Sequence, residues 1–329
     1  MMKIFLRSLL GIFLLAVVVF VMGPTVDAPV IDKPLPELSV ALEDLPQWVQ
    51  KQNEAFPNIK SGNESELIFA DSIPQKTAYA IVYLHGFSGS TADGAPVHKE
   101  VAKALGANIY LPRLYDHGLA TDEGLANYTG EKSLDSAREA LAIGKLLGEK
   151  VILMGTSTGC TLALALAAQH PELAALVLYA PNIRINHPLD FVATLPWGLQ
   201  IVRQVEGGEY HHVQNSIPEK AKFWTMRYRL EAVVHMQKLL ETAMIPETFA
   251  KVTVPVFSGF YYKNEQAQDP TVSVAAMKQM FKELGTPNNQ KEEKAFPATG
   301  AHEIASQLVS SNHEGVREAT LAFLNRILN

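Results

Sequence analysis

Cysteine is almost absent from this chain of 329 residues. Cys160 stands alone, so no intramolecular disulfide can staple the fold. It reads as a small buried hydrophobe rather than a reactive thiol. A strong charge of either sign is also missing. The formal net charge is −6 and no basic stripe is present, which argues against nucleic acid as a partner. There is no Gly-rich phosphate loop and no internal repeat. The metal signature H-E-x-x-H is broken, because Ser306 stands where the second histidine after His302-Glu303 would be. The adjacent pair His211-His212 lacks carboxylates at ligand spacing. The sequence therefore calls for no metal and no cofactor.

What is abundant is apolar material. At 47% hydrophobic residues the chain can bury a large core, and its length suits one α/β domain carrying an insertion. Strands are expected near 67–70, 79–84, 107–111, 150–154, 174–179, 252–258 and 291–296. Helical patterns fall near 96–105, 132–147, 158–169, 272–284 and 313–327. Such alternation predicts a mostly parallel sheet with helices on both faces. The interval 184–251 interrupts it and reads as a cap insertion within a domain spanning 67–329.

The N-terminus holds the one long hydrophobic run, Leu9 to Met22, preceded by Lys3 and Arg7. The uncharged stretch from Ser8 to Thr25 sits at the lower length limit for a membrane span. Its small-residue cleavage candidates are each followed by proline, so residues 1–23 are expected to be an uncleaved anchor rather than a signal peptide. Basic residues before the run would put the rest of the chain outside the cytoplasm. Removal of a signal and secretion is the alternative. Residues 24–66 carry Pro24, Pro29, Pro34 and Pro36 and read as an extended tether, followed by a short helix from Leu45 to Ala55.

The chemistry-bearing motif is Gly155-Thr156-Ser157-Thr158-Gly159. It follows the strand pattern Val151-Ile152-Leu153-Met154 and precedes a helical run. A serine at such a corner is strained and projects its hydroxyl above the sheet edge, with free N–H groups of the helix start beneath it. Ser157 is the expected nucleophile. Upstream, Ala80–Leu84 runs into His85-Gly86-Phe87, and the N–H groups of Phe87 and Thr158 are the expected oxyanion donors. His85 is read as a loop-shaping group. Downstream, the late strand ending near Ser258 leads to Asp269, the preferred acid, with Glu265 as the runner-up. Asp269 would serve equally well as a helix cap. His302 follows the last strand and is the expected base.

The order Ser157, Asp269, His302 resembles that of the α/β-hydrolases. The resemblance runs from about Ile68 to the C-terminus. Within the superfamily the chain is most similar to carboxylesterase and monoacylglycerol-lipase-like enzymes, on His85-Gly86-Phe87, on the degenerate loop Leu111–Gly118, and on Tyr179-Ala180-Pro181. It departs from them at Cys160 and Asp116. The resemblance implies an ester-cleaving serine hydrolase without a cofactor, acting on a small acyl ester. It also implies a cap in which Leu195, Trp197, Phe223 and Trp224 line an acyl pocket. The same triad would also serve a serine peptidase, an amidase or a cofactor-free haloperoxidase. A non-catalytic binding protein on this fold is the reading from another class.

Overall fold

A computed structural model describes residues 2–214 and 217–328. The chain opens with helix α1 (Met2–Val21) and, after an extended stretch, α2 (Leu45–Glu54). Then follow β1 (Glu66–Ile68), β2 (Thr77–Leu84), α3 (Val97–Ala104), β3 (Asn108–Leu111), α4 (Gly130–Leu147), β4 (Gly148–Thr156), α5 (Thr158–Ala167) and β5 (Ala175–Tyr179). Between β5 and the next sheet strand lie α6 (Gly198–Glu206), the hairpin β6 (Tyr210–His212) with β7 (Arg227–Arg229), α7 (Lys220–Phe223), α8 (Leu230–Ala243) and α9 (Pro246–Lys251). The last third comprises β8 (Val256–Phe260), a small hairpin β9 (Tyr262–Asn264) and β10 (Ala267–Gln268), α10 (Val274–Glu283), β11 (Lys291–Ala295) and α11 (His313–Leu328).

Seven strands form one sheet in the order β1-β3-β2-β4-β5-β8-β11. Every pairing is parallel except that of β1 with β3. The central strands β2, β4, β5 and β8 are largely apolar on both faces because both are covered, whereas the edge strand β11 is polar and largely exposed. Along β2, Ala80, Val82 and Leu84 join the core beneath α4 and α5, whereas Ile81 and Tyr83 join the core beneath α3 and α11. That period of two is the strand's own geometry. Because the strands are parallel, the loops leaving β2, β4, β8 and β11 emerge at one edge, where ligands bind in open α/β sheets.

The seven expected strands coincide with the seven strands of the main sheet. One boundary shifts: the apolar run from Val252 enters the sheet only at Val256. Pro255 has no N–H to give a ladder, although its carbonyl accepts from Leu176 N at 2.8 Å.

The N-terminal expectation is overturned. Among the described residues no helix is long and apolar enough to cross a membrane. The expected single-span anchor falls with that finding, and so does the placement of the catalytic domain outside the cytoplasm. The reason is length. Arg7 lies in the second turn of α1, and only Ser8–Val21 follows it within the helix. At 1.5 Å per residue that is about 21 Å, against roughly 30 Å of hydrocarbon. The far end of α1 instead meets the segment before α6. Trp197 donates its indole N–H to the Val19 carbonyl at 3.0 Å and its backbone N–H to the Pro24 carbonyl at 3.1 Å.

Candidate active site

Ser157 sits between β4 and α5 at φ 55°, ψ −120°, a region that non-glycine residues avoid. The cost is of order 1–3 kcal/mol and persists only where surroundings impose it. Here they do. Its N–H donates to the Tyr179 carbonyl at 2.9 Å, and its carbonyl accepts from Cys160 N at 2.9 Å and Asn182 N at 3.1 Å. The two flanking glycines are sterically required. A Cβ at Gly159 would stand 1.9 Å from the Leu84 carbonyl oxygen, and one at Gly155 would stand 2.9 Å from the same atom. Gly159→Ala is accordingly expected to cost roughly 3 kcal/mol or to block folding. A thermal melt unchanged from wild type would contradict this account of the elbow.

Cys160, in the first turn of α5, is fully buried and sends its thiol toward the Gly155 carbonyl at 3.0 Å. Burial pushes that thiol well above its ordinary pKa, which makes it a packing group as expected.

Asp269 and His302, the expected acid and base, lie in the segments that follow the sheet strands β8 and β11. Asp269 is completely buried. Its Oδ1 accepts from Thr271 N at 2.8 Å and Val272 N at 3.1 Å, and its Oδ2 accepts from His302 Nδ1 at 2.7 Å. The carboxylate thus both shapes its own turn and holds the imidazole. It does not cap α10, which begins at Val274 with Ser273 as its N-cap. Glu265 lies elsewhere, exposed at the tip of the β9–β10 hairpin and bonded to the Tyr262 hydroxyl at 2.7 Å.

For His302, burial opposes protonation. The charge and hydrogen bond of Asp269 outweigh that penalty with help from Glu303, so its pKa lies above the ordinary imidazole value. With Nδ1 taken by Asp269, Nε2 is the nitrogen available to the cavity. Ser157 and His302 line the same cavity. No hydrogen bond joins them among the described residues, and in enzymes without substrate this contact is often long.

The loop that carries Phe87 is fixed by His85 together with two groups the sequence did not single out, Asp93 and His117. Asp93 is buried and accepts from the Tyr83 hydroxyl at 2.5 Å and from Gly86 N at 2.6 Å. Burial pushes it up to about 7, against the pull of those two donors. His85 Nε2 accepts from Leu114 N at 3.1 Å, which leaves the Nδ1 proton for the Gly86 carbonyl at 2.9 Å. His117 Nε2 accepts from Ser88 N at 3.1 Å. Burial lowers the pKa of both histidines, that of His117 to about 4, so both serve as neutral spacers between loops. The loop-shaping role expected for His85 is what its contacts describe. Neither Phe87 N–H nor Thr158 N–H donates to another group among the described residues.

The cavity measures about 680 Å³ and is walled largely by apolar side chains, among them Ile185, Ile201, Val205 and Met236. Of the four expected cap aromatics and aliphatics, Trp224 lines it. Trp197 packs against the end of α1, Phe223 faces Gly62, and Leu195 is an exposed surface residue. Apolar character in the sequence marked these side chains without saying which way the cap turns them. Among the described residues no group of three or more His, Cys, Asp or Glu side chains is arranged to hold a metal ion.

The model of the alpha/beta hydrolase family matches residues 81–315. A curated thermostable monoacylglycerol lipase from a Bacillus species is 30% identical over 125 residues, which is 38% of this chain and 46% of that protein. The matched region thus spans about half the length of that relative. Among solved structures, a metagenome-derived lipolytic enzyme superposes with a TM-score of 0.66 at 18% identity, covering 82% of this chain and 99% of that one. A thermostable carboxyl esterase from Bacillus coagulans does so at 0.59 and 14%, covering 83% and 97%. A monoacylglycerol lipase from Paleococcus ferrophilus does so at 0.54 and 14%, covering 79% and 98%. At these identities the likeness is one of fold.

Proposed function

Because this chain belongs to the alpha/beta hydrolase family, we propose that it is a serine hydrolase that cleaves carboxylic esters of the carboxylesterase or monoacylglycerol-lipase kind. The observation that carries the reading is a serine at a strained corner, sharing one cavity with an imidazole whose Nδ1 is bonded to a buried carboxylate.

In this mechanism His302 Nε2 takes the Ser157 proton as the oxygen attacks the acyl carbon. Asp269 holds the imidazole in the tautomer that can accept and stabilises the imidazolium that results. The N–H groups of Phe87 and Thr158 receive the oxyanion, each worth about 2.7–4 kcal/mol in related cases. Collapse expels the alcohol, protonated by His302, and leaves Ser157 acylated. Water, deprotonated by the same histidine, then releases the acid.

The pH dependence follows from the base. His302 acts only when neutral, and its raised pKa keeps it protonated to a higher pH than free imidazole. The acid limb of kcat/KM should therefore have its midpoint above about 6.5. An acid limb below that value would mean that the titrating base is not a histidine held by Asp269. The reaction class is tested with p-nitrophenyl esters from acetate to palmitate beside matched anilides and short peptides. Esters should dominate at every chain length accepted. Cleavage of amides or peptides in their place would make this a peptidase or amidase.

A further inference from the structure

One wall of the cavity is charged, and the geometry points to a subsite there for a hydroxylated alcohol group. Lys220, at the start of α7, and Glu303, next to the base, meet with Nζ and Oε1 2.6 Å apart. Their side chains are 17% and 13% exposed, and both line the cavity. Trp224 lies beside them, its ring centroid 4.7 Å from Lys220 Nζ. Much of the remaining lining surface is apolar, although Asp190, Glu206 and His211 also reach it; the Lys220–Glu303 pair is the charged feature next to His302.

Its location assigns the half of the substrate it would meet, on the ester-cleaving reading above. The leaving oxygen must take its proton from His302 Nε2. The alcohol carbons attached to that oxygen consequently lie along the wall beside His302, where Glu303 and Lys220 stand. The acyl chain is left the aliphatic side. An alkyl alcohol placed against the pair would strip water from two charges and return nothing. An alcohol with hydroxyls beyond the ester oxygen can donate to the Glu303 carboxylate and accept from the Lys220 ammonium. Two vicinal hydroxyls have about the separation of hydrogen-bonded atoms and can bridge the pair. We propose that Lys220 and Glu303 are specificity residues selecting esters whose alcohol carries such hydroxyls.

The test uses matched esters. Monobutyrin and propyl butyrate share the acyl group and a three-carbon alcohol, and differ in two hydroxyls. Ethyl 3-hydroxybutyrate and ethyl butyrate move the hydroxyl to the acyl side. Wild type should favour monobutyrin over propyl butyrate by roughly tenfold or more in kcat/KM, with the acyl pair nearly equal. Lys220→Met and Glu303→Gln should each bring the monobutyrin ratio to within about threefold. Fluorophosphonate labelling reports whether each variant retains a competent Ser157, and the wild-type ratio decides the matter if neither variant folds.

A wild-type ratio near one overturns the subsite while leaving the esterase reading intact. So does a ratio unchanged in folded variants, because a clasp that only holds α7 to the His302 loop would slow both esters alike. A preference confined to the acyl pair places the hydroxyl on the other side and also overturns it. If wild type hydrolyses none of the four esters, the esterase reading rests on the p-nitrophenyl series from acetate to palmitate and fails if that too is left uncleaved. Ligand-observed NMR with glycerol then decides the subsite alone, with equal binding to wild type and Lys220→Met counting against it.

Discussion

Replacing Ser157 with alanine is expected to lower kcat for short p-nitrophenyl esters by about a millionfold, with the thermal melt preserved or raised. The size follows from the role. In serine hydrolases loss of the nucleophile removes about 10⁶ in kcat, and what remains comes from oxyanion donors and substrate binding. The melt should not suffer. Ser157 is buried at the cavity floor, and the bonds that fix it run through its backbone N–H and carbonyl, which alanine retains. A fluorophosphonate should label wild type and leave Ser157→Ala unlabelled. Folded wild type that resists the probe would make this an idle member of the family, and labelling that survives the substitution would locate the nucleophile elsewhere.

The second large effect is expected at the carboxylate. Asp269→Asn keeps the volume, and its amide oxygen can still accept from Thr271 N and Val272 N. What changes is the atom facing His302. An NH₂ group now meets Nδ1, so the ring must present a lone pair there and carry its proton on Nε2. A proton on Nε2 points the wrong tautomer at the serine. Losses near ten-thousandfold accompany this exchange in related triads. Glu265→Gln should change kcat by less than twofold, since Glu265 bonds to the Tyr262 hydroxyl at an exposed hairpin tip. If the two results came out the other way round, the acid would have to be reassigned.

The parts of this molecule that the sequence made legible are those governed by strong, local physics. The central parallel strands are buried on both sides and so appear as apolar runs, whereas the edge strand β11 is charged and is legible only by its place in the alternation. The elbow needs glycines at fixed offsets because Leu84 approaches so closely. The hairpin β6–β7 left no such trace. Its strands are three residues each, polar and half exposed, and Arg227 stacks on Tyr210 instead of entering a core. Asp93 carries no comparable signal, because its partners, Tyr83 and Gly86, become neighbours only once β2 and the following loop are folded; a lone acid in a short loop between strand and helix is the one hint the sequence holds. Trp197 packs against the end of α1, and an aromatic residue in a cap suits a ligand wall and a protein contact equally well. The N-terminal run stands at the length limit for a span when counted from Ser8 to Thr25, but its helix stops at Val21, an end that the apolar sequence does not mark.

The tie between Trp197 and the first two dozen residues has a practical corollary for anyone producing this protein. Expression schemes commonly delete a greasy leader and attach an affinity tag in its place. Here the discarded stretch would include the Val19 and Pro24 carbonyls on which the indole and the backbone before α6 are pinned. Ile201 and Val205, on that same helix, form part of the cavity wall. A trimmed preparation would thus be assayed with a loosened roof, and its substrate profile would describe the truncation as much as the enzyme.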